Sequence, residues 1–107
     1  MNQHFKVYWK GNLVGEITNP SHDMWYMNGD WGKFETTESG EFEHQLRNFD
    51  KEKFAKDPVN NSIKVILFEK TQPDTKIFCL ALSLKENEIC LRQVVAEEAL
   101  NRFFPDR

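Results

Sequence analysis

The chain has 107 residues, of which 39% are hydrophobic and 29% charged, and its formal net charge is -3. This length and composition predict one folded domain, 1–107, rather than a disordered chain. The negative charge argues against general nucleic-acid binding, which needs a basic surface, and no apolar run approaches the roughly twenty residues that cross a bilayer. We therefore expect neither nucleic-acid nor membrane partners. Because the opening residues lack the apolar core of a signal peptide, we also expect a cytoplasmic protein.

The first third of the chain is predicted to form strands. Alternating apolar and polar side chains around a Gly11-Asn12 turn signal predict a hairpin over residues 5–18. Asn19-Pro20 is expected to end that hairpin, because proline has no amide hydrogen to donate to a neighbouring strand. A third strand is predicted over residues 24–27, followed by a turn at Asn28-Gly29.

The rest of the chain is predicted to contain helices and three further strands. Phe42, Leu46 and Phe49 are spaced i, i+4 and i+7 and form one apolar stripe, which predicts a helix. The threonines and serine at residues 36–39 are candidate N-caps for that helix. Further elements are predicted as a short helical turn over 51–56, strands over 63–69, 76–84 and 88–94, and a last helix over 96–104.

This order of elements, β-β-β-α-β-β-β-α, predicts the fold class. Because the connections between strands are hairpin-sized, we expect a mostly antiparallel sheet of about six strands with the helices packed on one face, an α+β domain. Strict alternation along the strand over 76–84 would place Phe78, Leu80, Leu82 and Leu84 on the same side of that sheet.

The sequence shows no catalytic, cofactor or metal signature. Ser21-His22-Asp23 contains the residue types of a hydrolytic triad, but adjacent loop positions rarely provide a triad's geometry. The three histidines are too far apart in sequence to form a recognisable metal-binding pair, and no glycine-rich phosphate loop is present. We therefore predict no catalytic residue, no metal and no cofactor. The alternative is a small-molecule-binding or enzymatic pocket near His22 and Asp23.

The two cysteines lie in separate apolar segments and do not form a CxxC pair. Cys79 and Cys90 are expected to be buried thiols that behave as small hydrophobic residues in a reducing compartment. Arg92, two positions beyond Cys90, is the one neighbour that would activate a thiol. A disulfide between the two cysteines stays an alternative if their strands pair in a hairpin.

Residues 19–34 are the most distinctive segment, because they contain two of the three tryptophans and two of the three methionines. Turn signals within the segment predict that some of its rings are exposed, and exposed rings beside carboxylates are typical of a contact surface. Burial of the same rings in the core is the alternative. The predicted partner-binding residues are Asp23, Trp25, Tyr26, Asp30, Trp31, Glu38 and Glu41.

The opening block also carries a resemblance. The stretch from Gly11 to Ile17, followed by Asn19-Pro20, Asp23-Met24 and a glycine-rich turn to Trp31, resembles a loose group of small uncharacterised bacterial proteins. The likeness covers residues 5–49, and some neighbours of that group in size and style look like toxin-immunity proteins. The resemblance brings no catalytic residues and implies a binding protein.

Together, these features predict a non-enzymatic protein-binding module. Its most concrete form is an immunity protein that neutralises a basic toxin through an acidic aromatic surface, since carboxylates speed encounter with a basic partner. A homodimer whose interface is the aromatic strand is a further alternative.

Overall fold

The computed structural model describes residues 3–107, except for the side chain of Pro73. None of the described helices combines the length and apolar character needed to span a membrane. The elements are β1 (His4–Trp9), β2 (Asn12–Asp23), β3 (Tyr26–Lys33), α1 (Thr37–Arg47), α2 (Lys51–Lys56), α3 (Pro58–Asn61), β4 (Ile63–Glu69), β5 (Gln72–Lys85), β6 (Glu88–Gln93) and α4 (Glu97–Phe103).

The six strands form a closed antiparallel barrel in the order β1-β2-β3-β6-β5-β4. The prediction of about six antiparallel strands is confirmed, but the predicted α+β sheet with helices packed on one face is wrong. Each block of three strands has two free edges, and pairing β1 with β4 and β3 with β6 joins all four. Closure therefore leaves none of the six described strands with an unpaired edge, which an open sheet cannot achieve.

The interior of the barrel is filled by apolar side chains from every strand and closed at one end by α1. Phe42 and Leu46 of α1 are buried in this core, as their helical spacing predicts. The Phe42 ring lies 5.7 Å from the Trp9 ring and 5.3 Å from the Trp31 ring, measured between centroids. Thr36 caps α1 by accepting a hydrogen bond from the Ser39 amide. The aromatic contacts and this cap fix α1 over the barrel mouth.

A second apolar layer lies outside the barrel, where α4 covers part of β4 and β5. Leu80, Val94 and Phe104 are buried in this outer layer, and the rings of Phe78 and Phe104 lie 5.0 Å apart. The outer layer forms because β5 is apolar on both faces, so its outward side chains also need cover.

A β-bulge in β5 changes which face its last residues occupy. Ala81 lies opposite Leu91 and Ser83 opposite Cys90, so Leu82 is an extra residue without a partner in β6. The extra residue reverses the alternation, and Leu84 belongs to the barrel core. The prediction that Leu84 shares the face of the preceding leucines is therefore wrong, because strict alternation fails at a bulge.

A second bulge lies in β2 and extends the strand beyond its predicted end. Thr18 lies opposite Asp30 and Ser21 opposite Asn28, so Asn19 and Pro20 together face Gly29. Proline is tolerated at a bulge, and the strand continues to Asp23. The predicted end at Asn19-Pro20 and the predicted turn at Asn28-Gly29 are both wrong. The chain turns instead at Met24-Trp25, with Met24 at a φ of 56°.

Replacing Gly29 with alanine should destabilise the barrel. A Cβ atom at this position would clash with the Ile17 side chain and lie 3.2 Å from the carbonyl oxygen of Thr18. We expect Gly29→Ala to lower the free energy of unfolding by about 1–3 kcal/mol, the usual cost of overpacking. Urea denaturation measures the change.

Gly40→Ala is the matched control. A Cβ atom at Gly40 would meet nothing within 4 Å, and alanine in a helix is favoured over glycine by about 0.5–1 kcal/mol. The control should therefore be neutral or stabilising. Equal effects of the two substitutions would contradict the close approach of β2 and β3 at Gly29.

Candidate binding groove

The β2–β3 hairpin tip presents apolar side chains to solvent. Met24 and Trp25 form the two-residue turn between Asp23 and Tyr26. The exposed fractions are 84% for Met24, 48% for Trp25, 43% for Tyr26 and 47% for Val95. Within residues 3–107, these four are the exposed large hydrophobic residues. The exposed apolar surface is therefore concentrated in two short stretches of the chain.

Hydrogen bonding brings these two stretches together. The Gln93 amide donates to the Trp25 carbonyl oxygen at 2.7 Å, and Val95 follows two residues later. Trp25, Tyr26 and Val95 all line one groove on the outside of the barrel, with a volume of about 640 Å³. We call this the outer groove, and we call the exposed residues Met24, Trp25, Tyr26 and Val95 its rim.

The outer groove lies on the outward side of β5 between two helical walls. Leu80 and Leu82 of β5 line it, together with Phe54 of α2 and with Ala99 and Phe103 of α4. Its volume lies within the roughly 300–1,000 Å³ that is usual for ligand pockets. The groove is therefore an apolar concavity that is large enough to receive several side chains or a small molecule.

Among the described residues that line the outer groove, Arg92 is the single charged one. It lies between Tyr26 on β3 and Leu80 on β5 in the register of the sheet. Its guanidinium carbon is 5.9 Å from the centroid of the Tyr26 ring. No carboxylate of the described residues lies within 4 Å of its guanidinium nitrogens. Arg92 therefore adds one cation without an ion-pair partner to an otherwise uncharged lining.

The predicted partner-binding residues are divided between distant parts of the molecule. Asp23, Trp25 and Tyr26 are exposed at the hairpin tip. Glu38 and Glu41 lie on α1, which closes the far end of the barrel. The 8-residue strand β3 separates the two groups, a length of about 23 Å at 3.3 Å per residue. The expected single acidic aromatic surface is therefore not formed by these seven residues.

The two remaining predicted residues have partners within the chain. Trp31 is 7% exposed, and its indole nitrogen donates to a Glu43 carboxylate oxygen at 2.9 Å. The expectation that its ring is exposed is wrong, because Trp31 points into the closed barrel. Asp30 is exposed on the outer side of β3, where its carboxylate accepts a hydrogen bond from the side-chain amide nitrogen of Asn19 at 3.0 Å.

His22 and Asp23 lie apart from the outer groove. Both side chains are exposed, and neither lines the outer groove. The His22 ring shares a hydrogen bond with Gln3 at 3.1 Å. Along β2, Ser21 and Asp23 point to the side opposite His22, so the three residues do not converge as a triad. Among the described residues, no three His, Cys, Asp or Glu side chains gather as metal ligands.

The two cysteines lie on opposite faces of the barrel wall and are both free. Cys79 is in the core, and burial raises the pKa of its thiol to about 12. Cys90 lies between the core residues Ile89 and Leu91 and points outward. Burial and the nearby charge of Glu88 raise its pKa, so Arg92 does not activate this thiol. Because the two thiols lie on opposite faces of the wall, they do not form the disulfide that was considered as an alternative.

Sequence reasoning did not identify the groove residues Arg92, Val95 and Leu80. They come from parts of the chain that meet only when the barrel closes. One signal was present: β5 is apolar on both faces, which indicates that something covers its outer side.

Comparison of the chain with models of known protein families, with curated proteins and with solved structures gives no match. The geometry of the outer groove and its rim is therefore the basis for assigning a function.

Thiol labelling should distinguish the two cysteines. At about pH 8, a raised pKa leaves little thiolate, so both thiols should react more slowly with Ellman's reagent than free cysteine does. The slow reaction of the native protein should come from the half-buried Cys90. Cys90→Ala should remove it, and Cys79→Ala should retain it. Rapid labelling of Cys79 in the native protein would contradict its place in the core.

Proposed function

We propose that this chain is a non-enzymatic binding protein that docks a partner protein on the rim of the outer groove. The observation that carries the proposal is the gathering of Met24, Trp25, Tyr26 and Val95 at one place. Exposed apolar side chains that adjoin one another mark interaction sites, whereas isolated ones are ordinary.

The residue types at this place support a protein partner. Trp25, Tyr26 and Arg92 all line the groove, and tryptophan, tyrosine and arginine are the residues that most often dominate binding energy at protein interfaces. The rings of Trp25 and Tyr26 lose little conformational entropy when they become buried. The hydrogen bond from Gln93 to Trp25 holds the tip before a partner arrives, which lowers the cost of ordering it.

Neutralisation of a toxin is the most concrete form of this proposal. The carboxylates expected to attract a basic toxin do not form one patch at the rim, since Glu38 and Glu41 lie on α1, away from it. Asp23 is the one predicted carboxylate at the hairpin tip. The rim and groove, rather than an acidic patch, are therefore the surface we assign to the partner.

A small apolar ligand in the outer groove is the second candidate, because the volume of about 640 Å³ suits one. Such a ligand would raise the melting temperature of the isolated chain by mass action. A homodimer whose interface is the aromatic strand stays an alternative, but it could not form by edge pairing, since β3 is already paired with both β2 and β6.

The proposal predicts that partner binding depends on Trp25. A photo-crosslinking p-benzoylphenylalanine in place of Val95 should capture the partner, which is then purified. We expect Trp25→Ala to weaken binding about 30-fold or more, the loss of roughly 2 kcal/mol that defines a dominant interface residue. Isothermal titration calorimetry measures the affinity. The melting temperature should change little, because Trp25 lies outside the core.

Glu41→Ala is the matched control, because Glu41 is also exposed but lies on α1. The Glu41→Ala variant should bind the partner with the same affinity as the unaltered protein. An unchanged affinity in Trp25→Ala, or a loss in Glu41→Ala as large as that expected for Trp25→Ala, would refute the assignment of the rim.

A further inference from the structure

We infer that the partner places an apolar segment with an acidic side chain in the outer groove, and that its carboxylate pairs with Arg92. This inference rests on the proposed function and adds the chemistry of the partner segment. It differs from the sequence-based expectation that an acidic surface of this chain binds a basic partner.

The first step is the position of Arg92 within the sheet. The register places Asp23, Tyr26, Arg92, Leu80 and Lys64 side by side in one row across five strands. The immediate neighbours of Arg92 in this row are therefore a phenol ring and an aliphatic side chain. A segment that covers Tyr26 and enters the outer groove must also cover the guanidinium group, whose carbon lies 5.9 Å from the centroid of the Tyr26 ring.

The second step is that, among the described residues, Arg92 has no carboxylate partner within 4 Å. Asp23 and Lys64 each lie two strands away, roughly 10 Å at the usual strand spacing, and their opposite charges largely offset one another. On its own strand, the nearest carboxylate is that of Glu88, four positions away. Glu97 and Glu98 on α4 do not line the groove. None of these groups forms an ion pair with Arg92 among the described residues.

The third step is the cost of covering an unpaired cation. Removing water from a guanidinium group is unfavourable unless an opposite charge and hydrogen bonds replace the water. A carboxylate accepts two parallel hydrogen bonds from a guanidinium group, which an amide or hydroxyl cannot match in strength. A basic segment would instead place like charges together. The groove therefore favours an acidic occupant over a neutral or basic one.

Selection from a library of random 12-residue peptides displayed on phage tests the inference. The unaltered chain is the target. Peptides that also bind the Trp25→Ala variant are discarded, because they bind elsewhere on the chain. We expect the retained peptides to combine aromatic or aliphatic residues with Asp or Glu. When Arg92→Glu is the target instead, the selected peptides should carry Lys or Arg in place of the acidic residue.

A synthetic copy of one retained peptide then gives the magnitude. Arg92→Gln should weaken its binding about tenfold, in the range of charge pairs at interfaces. Arg102→Gln should leave binding unchanged, because Arg102 is exposed on α4 and does not line the groove. Both variants change exposed side chains, and circular dichroism confirms that each is folded.

Three results would overturn the inference: peptides without an acidic bias, equal affinity for the unaltered chain and Arg92→Gln, or no peptide whose binding depends on Trp25. The proposed function would survive each of them if the crosslinked partner still requires Trp25. If the partner binds without Trp25, the proposed function fails, whatever the peptides show.

Discussion

The close approach of β2 and β3 at Gly29 is the constraint on which the site depends. Asn19 and Pro20 form a bulge opposite this glycine, and Gly29 has no side chain to hold the strands apart. A bulge bends its strand and increases the local twist. Beyond the bulge, β2 continues to Asp23, so the hairpin tip lies past the strand end that the proline seemed to impose. The same bulge that helps to curve the barrel therefore also positions Trp25 and Tyr26.

Closure of the barrel decides which aromatic side chains are buried. A barrel of few strands has an interior only wide enough for side chains, and here Trp9, Trp31 and Phe42 are among the residues that occupy it. Trp25 lies in the turn rather than in a strand, so it does not point into that interior. Its exposure follows from the topology, and the apolar outer side of β5 adds the groove beside it.

The sequence predicted the local elements well and the long-range arrangement poorly. Alternation and helical spacing were sufficient for the first hairpin and for the burial of Phe42 and Leu46. The pairing of β1 with β4 and of β3 with β6 joins residues far apart in the chain, and no local pattern specifies it. Trp25 and Trp31 belong to the same aromatic segment, but one is exposed and the other is buried. This difference depends on the turn at Met24-Trp25, which the sequence placed at Asn28-Gly29 instead. Arg92 and Val95 joined the site only through closure.

The central claim is that the closed barrel buries Trp9 and Trp31 and leaves Trp25 in water. Fluorine NMR of the protein labelled with 5-fluorotryptophan tests it directly, because the chain has three tryptophans and Trp25→Phe assigns one resonance. A soluble gadolinium chelate should broaden the Trp25 resonance strongly and the other two weakly. Equal protection of all three resonances would show that the rim is covered within the isolated chain, and strong broadening of either of the other two resonances would contradict the burial of Trp9 and Trp31.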